Sequence, residues 1–303
     1  MIQFLLPHQI DKEKWDSCIE HAHNSFIYGY SWYLDIASPG WSAIVQNDYR
    51  AVFPLPTVKK IFTMAYQPFF TQQLGLFYRD IETAPPILEF LEKIPSNYKH
   101  VNICLNEYNQ GNVGANYHSH SRTNYILHLH QPYQELARLY NSQTKRNILR
   151  AQKSKLIITD AQPNAVVKYY ETQKGSETDV LKPVHYATLN RLLEEVNRRG
   201  FLKCFSVQNA QGDTLAMAAF YFYKNRIVYQ LGASSDEGRE AQAMTFLFDW
   251  LIKTNCNKDL IFDFEGSDIS SIARFFSGFG ALGAKYSRII RNDLPWPFSI
   301  IKK

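Results

Sequence analysis

The chain has 303 residues, 45% of them hydrophobic and 20% charged, a balance typical of globular proteins long enough to form two domains. Its net charge of +5 is smaller than that of most dedicated nucleic-acid-binding domains, and no window approaches the roughly 18 apolar residues of a membrane span. The four cysteines lack metal or disulfide spacing, and the first residues lack the features of a signal peptide. We therefore expect a cytoplasmic protein without a transmembrane segment.

The two halves of the chain share short sequence matches in the same order. The matches are Val-Gln-Asn at 45–47 and 207–209, and Gln-Leu-Gly at 73–75 and 230–232. A predicted helix and then a predicted strand follow the second match, at 86–94 and 101–107 in the first half and at 241–253 and 260–265 in the second. The shared order indicates a duplication. A single irregular domain is the alternative.

The predicted elements define an α/β protein, or α+β by some schemes, built from one module over residues 1–130 and another over 131–303. In each module the sequence predicts helices, a meander of three strands, a helix and a last strand, in that order. We therefore expect each module to form a mixed sheet flanked by helices. In the second module the meander covers 202–208, 214–223 and 226–232.

A basic helix is predicted over residues 143–155, where the two predicted modules join. Arg146, Arg150 and Lys153 are spaced to lie on one face of this helix, and Lys145 lies nearby. Such a face is usually only solvated. Its place between the modules also makes it a candidate contact for a phosphate-bearing donor or acceptor.

The strand predicted over residues 260–265 carries unusual side chains. Strand alternation places Asp263 and Glu265 on one face, and Phe262 and Phe264 on the other. Two carboxylates on a buried strand are costly unless they are paired, hydrogen-bonded or used in chemistry. The strand is therefore a candidate site element.

Several segments together carry a family resemblance. They are Phe-Asp-Phe-Glu-Gly-Ser at 262–267, Ile-Ala-Arg-Phe-Phe at 272–276, Gly-Phe-Gly at 278–280, the basic segment 144–153, and Gln-Pro-Phe-Phe-Thr-Gln-Gln-Leu-Gly at 67–75. With them the chain resembles the FemAB-like acyltransferases, which have two tandem GNAT-type modules and include the peptidoglycan-bridge aminoacyltransferases related to methicillin-resistance factors. The resemblance implies transfer of an aminoacyl or acyl group to an amine of a cell-envelope precursor. Aminoacyl-tRNA or acyl-CoA would be the co-substrate, with no tightly bound cofactor.

Direct attack of an amine on an ester or thioester carbonyl determines what such a site must supply. A carboxylate can take the amine proton, and hydrogen-bond donors must face the developing oxyanion. We predict that Glu265 is the base or amine anchor, that Asp263 is the second choice, and that Gln230 polarises the carbonyl. The alternative for both carboxylates is a structural ion pair or hydrogen bond.

Donor and substrate contacts are predicted at the same strand ends and on the basic helix. They are Lys145, Arg146, Arg150, Tyr229, Gly238, Arg239, Ser267 and Phe276. Backbone N–H groups near Gly238 suit a phosphate and Arg239 would help, whereas Asp236 and Glu237 would repel it. For Tyr229, ordinary packing between strands is the alternative.

Two departures from the family leave the donor and the activity open: the acidic residues Asp236 and Glu237 at the predicted phosphate loop, and the absence of an arm. Members that extend peptidoglycan bridges often carry a long helical-hairpin arm, and residues 164–200 are too short for one. That weakens the case for docking a whole tRNA, although its acceptor end remains a candidate partner. A catalytically inactive module of the same fold, acting as a binding or scaffold protein in envelope assembly, is the alternative function.

Two further segments bear on metals and membranes. The pairs His118–His120 and His128–His130 have strand spacing but no supporting carboxylate or cysteine, so we predict no metal site. The apolar and aromatic segment 294–301 suits a peripheral membrane contact. A tail packed on the core is the alternative.

Overall fold

The computed structural model describes residues 1–174, 181–266 and 269–301. Contacts divide the chain into two compact units: Met1–Arg122 with Lys285–Lys303 is the first, and Thr123–Ala284 is the second. The division after Arg122 lies near the predicted module boundary at residue 130. The C-terminal residues belong to the first unit because their strand pairs there.

Strands and helices alternate along most of the chain. The strands are β1 Ile2–Leu5, β2 Ser42–Gln46, β3 Ala51–Leu55, β4 Thr57–Lys59, β5 Thr63–Tyr66, β6 Phe77–Tyr78, β7 Tyr98–Cys104, β8 His118–His128, β9 Ile157–Asp160, β10 Leu202–Gln208, β11 Thr214–Tyr223, β12 Arg226–Ser234, β13 Ile261–Gly266 and β14 Leu282–Asn292. The helices are α1 Lys12–His21, α2 Ser31–Ala37, α3 Ile87–Leu91, α4 Tyr133–Arg138, α5 Ser142–Lys153, α6 Pro163–Lys174, α7 Pro183–Arg198, α8 Asp236–Glu240, α9 Ala243–Asn255, α10 Ser270–Ser277 and α11 Phe298–Ile301. In the part of the chain that the structure describes, no helix combines the length and the hydropathy of a membrane-spanning segment.

The second unit contains a mixed sheet in the order β8-β13-β12-β11-β10-β9. The strands β9 to β12 pair antiparallel in turn, as the predicted meander requires. β13 then pairs parallel with β12 and antiparallel with β8. The parallel pairing needs a crossover, and α8 and α9 supply it.

Aromatic rings from α9, α10 and β13 form the centre of the second unit's core. Phe248 of α9 lies 5.5 Å from both Phe262 and Phe264 of β13, measured between ring centroids. It also lies 6.4 Å from Phe276 and 5.8 Å from Phe279, which follow each other at helical spacing. Because burial of each such ring contributes roughly 1.5–3 kcal/mol, this cluster fixes α10 against the end of β13.

The first unit contains two sets of paired strands, in the orders β1-β2-β3-β6 and β4-β5-β7-β14. β5 pairs parallel with β7, and β7 pairs antiparallel with β14. The core between these strands and α3 includes Phe53, Phe90 and Ile103. Mixed sheets flanked by helices therefore form in both units, as predicted.

The order of pairings in the second unit partly recurs in the first. β2 and β3 form an antiparallel pair, as β10 and β11 do. After α3, β7 pairs parallel with β5, and an isolated parallel bridge joins Leu74 to Leu105. In the second unit, β13 likewise pairs parallel with β12 after α9. The added hairpin β4–β5 is where the first unit differs.

The segment predicted to be too short for an arm folds onto the second unit. α6 contacts α7, β11 and β12, and it buries Val166 and Val167. Leu189, Leu192 and Val196 form the buried face of α7. The described part of this segment is therefore a layer of helices on the sheet.

Candidate active site

A cavity of about 530 Å³ opens in the second unit where two parallel strands separate. In the described residues the register between β12 and β13 ends at the pair Val228–Asp263. β12 continues to Ser234 and β13 to Gly266, and residues beyond the last pair line the cavity. The opening therefore lies at the carboxyl ends of two parallel strands, a common position for ligand sites.

β12 contains a β-bulge at the point where the strands separate. Ala219 of β11 pairs with Leu231, whereas the next residue, Phe220, pairs with Tyr229, so Gln230 is the extra residue. A bulge breaks the strict alternation of side chains. Both Tyr229 and Gln230 consequently line the cavity, as their predicted roles require.

Glu265 reaches the cavity through a second irregularity, in β13. Asp263 pairs with Ile126 of β8 and Gly266 pairs with Asn124, so two residues of β13 lie opposite one residue of β8. Glu265 has a φ of 57°, in the left-handed region that few non-glycine residues adopt. The predicted alternation therefore ends at Asp263, and Glu265 lines the cavity while Asp263 is buried.

Asp263 takes part in a buried ion pair. Its Oδ2 accepts a hydrogen bond from Arg226 Nη1 at 2.5 Å, and the two side chains are only 2% and 9% exposed. Its Oδ1 accepts the backbone N–H of Glu265 at 2.9 Å. A buried carboxylate needs such partners, so this geometry corresponds to the structural alternative for Asp263.

Tyr229 is held by aromatic neighbours below the cavity. Its ring lies 4.9 Å from Phe248 and 6.2 Å from Phe276. Burial raises the pKa of the Tyr229 hydroxyl, and its acidic neighbours Tyr170 and Glu265 add to the effect. The hydroxyl therefore keeps its proton at neutral pH and is a hydrogen-bond donor.

Two helices complete the wall of the cavity. α6 contributes Tyr170 and Lys174, which are four residues apart and therefore share one face of the helix. Sequence reasoning missed both, and their spacing alone would not have identified them, since it gains meaning only once α6 is known to cover β12. α10 contributes the predicted residue Phe276 together with Ile272 and Phe275.

The helix start predicted as a phosphate site makes its own contacts. The N–H of Gly238 donates to Ser235 Oγ at 3.0 Å, and a Cβ at position 238 would lie 1.9 Å from the Leu215 carbonyl oxygen. The glycine is therefore required for close packing. Arg239 lines the cavity and forms an ion pair with Asp236.

The predicted basic helix forms as α5, with its cations on the surface. Lys145, Arg146 and Arg150 are exposed, and the described lining of the cavity does not include them. Lys145 Nζ donates to the carbonyl oxygen of Arg138 at 3.1 Å, and Arg146 Nη2 donates to Gln143 Oε1 at 2.7 Å.

The cavity brings together part of the predicted set of site residues. Its members in the described chain are Tyr229, Gln230, Arg239, Glu265 and Phe276. Ser267 lies outside the described residues. Among the described lining residues, one anionic group (Glu265), two cationic groups (Arg239 and Lys174), two tyrosines and an apolar floor surround one space.

No protein-family model and no curated protein sequence matches the chain. Among solved structures, FemX is similar with a TM-score of 0.66 and 13% identity, over 97% of this chain and 98% of that chain. L-PGS from Bacillus licheniformis gives a TM-score of 0.56 and 11% identity, over 96% and 94% of the two chains. The C-terminal domain of a protein assigned as a lysylphosphatidylglycerol synthetase from Agrobacterium fabrum gives a TM-score of 0.59 and 10% identity, over 94% of each chain.

These similarities extend over nearly the whole chain, so the chain has the fold of FemX and of these domains. The predicted FemAB-like resemblance is thereby confirmed at the level of the fold.

Proposed function

We propose that this protein is an N-acyltransferase of the FemAB type, which forms an amide on an amine of a peptidoglycan-type cell-envelope precursor. The observation that carries the proposal is Glu265, which lines the cavity from a left-handed backbone position in a bulge. Such strained positions persist only where the surroundings hold them, and they are common at functional sites. Gln230 and Tyr229 line the same cavity from β12.

These residues fit direct attack without a covalent enzyme intermediate. The neutral amine attacks the carbonyl carbon of the donor, a C–N bond forms, and Glu265 takes the amine proton directly or through a water. Gln230 donates a hydrogen bond to the carbonyl oxygen as that oxygen gains negative charge. The C–O bond of an ester, or the C–S bond of a thioester, then breaks, and the leaving group takes a proton.

Tyr229 acts as a donor in this scheme. A tyrosine with its ordinary pKa of about 10 is already protonated at neutral pH, and burial raises the pKa of the Tyr229 hydroxyl further, so Tyr229 cannot serve as the base. Its proton is available to the oxyanion or to the leaving group. Replacement of Tyr229 by Phe keeps the ring packing and removes only this hydrogen bond.

Of the two candidate donors, the contacts of α8 favour aminoacyl-tRNA. A CoA pyrophosphate at the start of α8 would meet the carboxylates of Asp236 and Glu237, and the N–H of Gly238 already donates to Ser235. The fold shared with a protein assigned as a lysylphosphatidylglycerol synthetase also supports an aminoacyl donor and an envelope acceptor. We accordingly place the reaction in the cytoplasm, where charged tRNA is present.

The donor is tested by thermal unfolding with CoA, acetyl-CoA and an aminoacylated tRNA acceptor-stem helix, each in a separate series. A ligand at about 100 times its dissociation constant stabilises the protein by roughly 2.7 kcal/mol, so binding is readily visible. We expect the charged RNA to raise the midpoint of thermal unfolding and the CoA compounds to leave it unchanged. A shift with acetyl-CoA alone would reverse the donor assignment.

Catalysis is tested by transfer of a radiolabelled amino acid from charged tRNA to amine-bearing peptidoglycan precursors. Glu265→Gln should lower turnover by about 10²–10⁴ while leaving the unfolding midpoint nearly unchanged. Glu240→Gln, an exposed change at the end of α8, is the matched control and should retain full turnover. If wild type and Glu265→Gln bind the precursor equally and neither transfers the label, the protein is the inactive scaffold.

A further inference from the structure

A hairpin and the C-terminal helix of the first unit adjoin at an aromatic contact. The rings of Phe62, next to the tip of the β4–β5 hairpin, and Phe298, at the start of α11, lie 5.4 Å apart in an edge arrangement. Asn292 Nδ2 donates to the carbonyl oxygen of Ser299 at 3.0 Å, which ties α11 to the end of β14. The contact therefore places the tip of the hairpin next to the start of α11.

These two segments expose large apolar side chains instead of burying them. Ile61 and Trp296 are each 78% exposed, and Ile300 is 58% exposed. Phe298 is 40% exposed. We call Ile61, Trp296, Phe298 and Ile300 the hairpin–tail patch. Exposed apolar side chains on adjoining segments, as here on either side of the Phe62–Phe298 contact, are typical of interaction surfaces, whereas single exposed residues need no explanation.

Cationic side chains flank the hairpin–tail patch. Lys59 and Lys60 are exposed in the hairpin itself, and Lys99 lies in β7 beside β5. The nearby carboxylate of Asp293 is 3.0 Å from Arg291 Nε, so its charge is balanced locally. The surroundings of the patch thus carry an excess of positive charge.

We propose that the hairpin–tail patch docks on an anionic lipid bilayer. Tryptophan prefers the membrane interface, where its ring is partly apolar and its N–H stays hydrated. Ile61, Phe298 and Ile300 insert beside it, while Lys59 and Lys60 contact acidic headgroups. The charge at the rim is the reason to favour a lipid surface over a second copy of this chain, whose patch would carry the same lysines. The inference goes beyond the proposed reaction and does not depend on it.

Vesicle sedimentation of the whole protein tests the docking. Vesicles of phosphatidylcholine mixed with an equal amount of phosphatidylglycerol should bind the protein, and vesicles of phosphatidylcholine alone should bind it much less. Trp296→Ser and Ile61→Ser should each weaken binding to the mixed vesicles about tenfold. Lys59→Gln and Lys60→Gln should each weaken it roughly fivefold, with little effect on neutral vesicles. Ile81→Ser, which changes another exposed isoleucine of the first unit, is the matched control and should bind as wild type does.

Tryptophan emission locates the contact independently of sedimentation. Trp15, Trp32 and Trp41 are buried and Trp250 is partly buried, so Trp296 is the exposed member of the five tryptophans. Mixed vesicles should shift the emission to the blue, and Trp296→Phe should abolish the shift while preserving sedimentation. Binding that is unchanged in Trp296→Ser and Ile61→Ser, or absent from mixed vesicles in wild type, would overturn the proposal. A concentration-dependent dimer that Trp296→Ser abolishes would do so as well, because it would identify the patch as a self-interface.

Discussion

Asp263 joins Arg226 and Glu265 through its two carboxylate oxygens. One oxygen lies 2.5 Å from Arg226 Nη1 at the start of β12, and the other accepts the backbone N–H of Glu265 at 2.9 Å. The same side chain therefore ties β13 to β12 and holds the bulge that carries the candidate base. Asp263 is accordingly a positioning residue in our model of the reaction.

The ion pair predicts a large loss of stability on neutralising Asp263. Asp263→Asn keeps the shape of the side chain but removes the negative charge that lies 2.5 Å from the buried guanidinium of Arg226, so the free energy of unfolding should fall by about 3 kcal/mol. Urea unfolding at neutral pH measures the loss. Asp259→Asn, an exposed change just before β13, is the control and should lie within about 0.5 kcal/mol of wild type. Equal losses in the two variants would contradict the importance of the pair.

The left-handed backbone at Glu265 predicts an inverted preference for glycine over alanine. Glu265→Gly and Glu265→Ala remove the same side-chain contacts, but only glycine adopts a φ of 57° without strain. The glycine variant should therefore be more stable than the alanine variant by about 1 kcal/mol, and both should lack turnover. At Glu240, in the helical conformation of α8, the order should reverse by a similar amount. Calorimetry of the four variants measures their unfolding midpoints. A higher midpoint for Glu265→Ala than for Glu265→Gly would contradict a strained backbone at this position.

The elements of the second unit could be predicted because their signals are local. Period-two patterns with polar turns between them give β10, β11 and β12, and the helical spacing of Ile272, Phe275 and Phe276 indicates α10. The bulges at Gln230 and Glu265 could not be predicted, since a bulge is defined by the register between two strands and not by either strand alone.

The candidate site was only partly predictable for a related reason. Glu265 lies at the end of β13, and Tyr229 and Gln230 lie in β12 just beyond its last pair with β13, so proximity to the end of the acidic strand suggests them. Tyr170 and Lys174 reach the cavity from α6, far earlier in the chain, and no local pattern connects them to β12. The cations of α5 are exposed and stay a prediction, since a basic face is evident from spacing but its use is not.

Replacement of Gly238 can distinguish a role in packing from a role in binding the donor. In Gly238→Ala the new Cβ would lie 1.9 Å from the carbonyl oxygen of Leu215, a backbone atom that cannot move without disturbing β11. We expect the free energy of unfolding to fall by about 1–3 kcal/mol in the absence of any donor. Gly283→Ala, whose Cβ would meet a Thr123 methyl group at 3.1 Å, is the control and should cost less. If Gly238→Ala unfolds like wild type and only the KM for the donor rises, the glycine serves the donor and not the packing.

A pH-dependent contribution to stability is expected from Glu195 on α7. Arg198 donates two hydrogen bonds to its carboxylate and Arg199 donates another, which lowers the pKa of Glu195 from about 4.5 to about 2. Because the pKa is lower in the folded protein than in the unfolded chain, the stabilisation is complete above the unfolded value and is lost as the pH falls towards 2.

The arginines are partly or largely exposed and solvent screens the pairs, so Glu195→Gln should cost about 1 kcal/mol at pH 7. Urea unfolding of both proteins at pH values from 7 down to about 3 should show this difference shrinking below about pH 4.5. Glu194→Gln, its exposed neighbour, should show no such difference, and a cost that stays constant with pH would exclude the ionised carboxylate as its source.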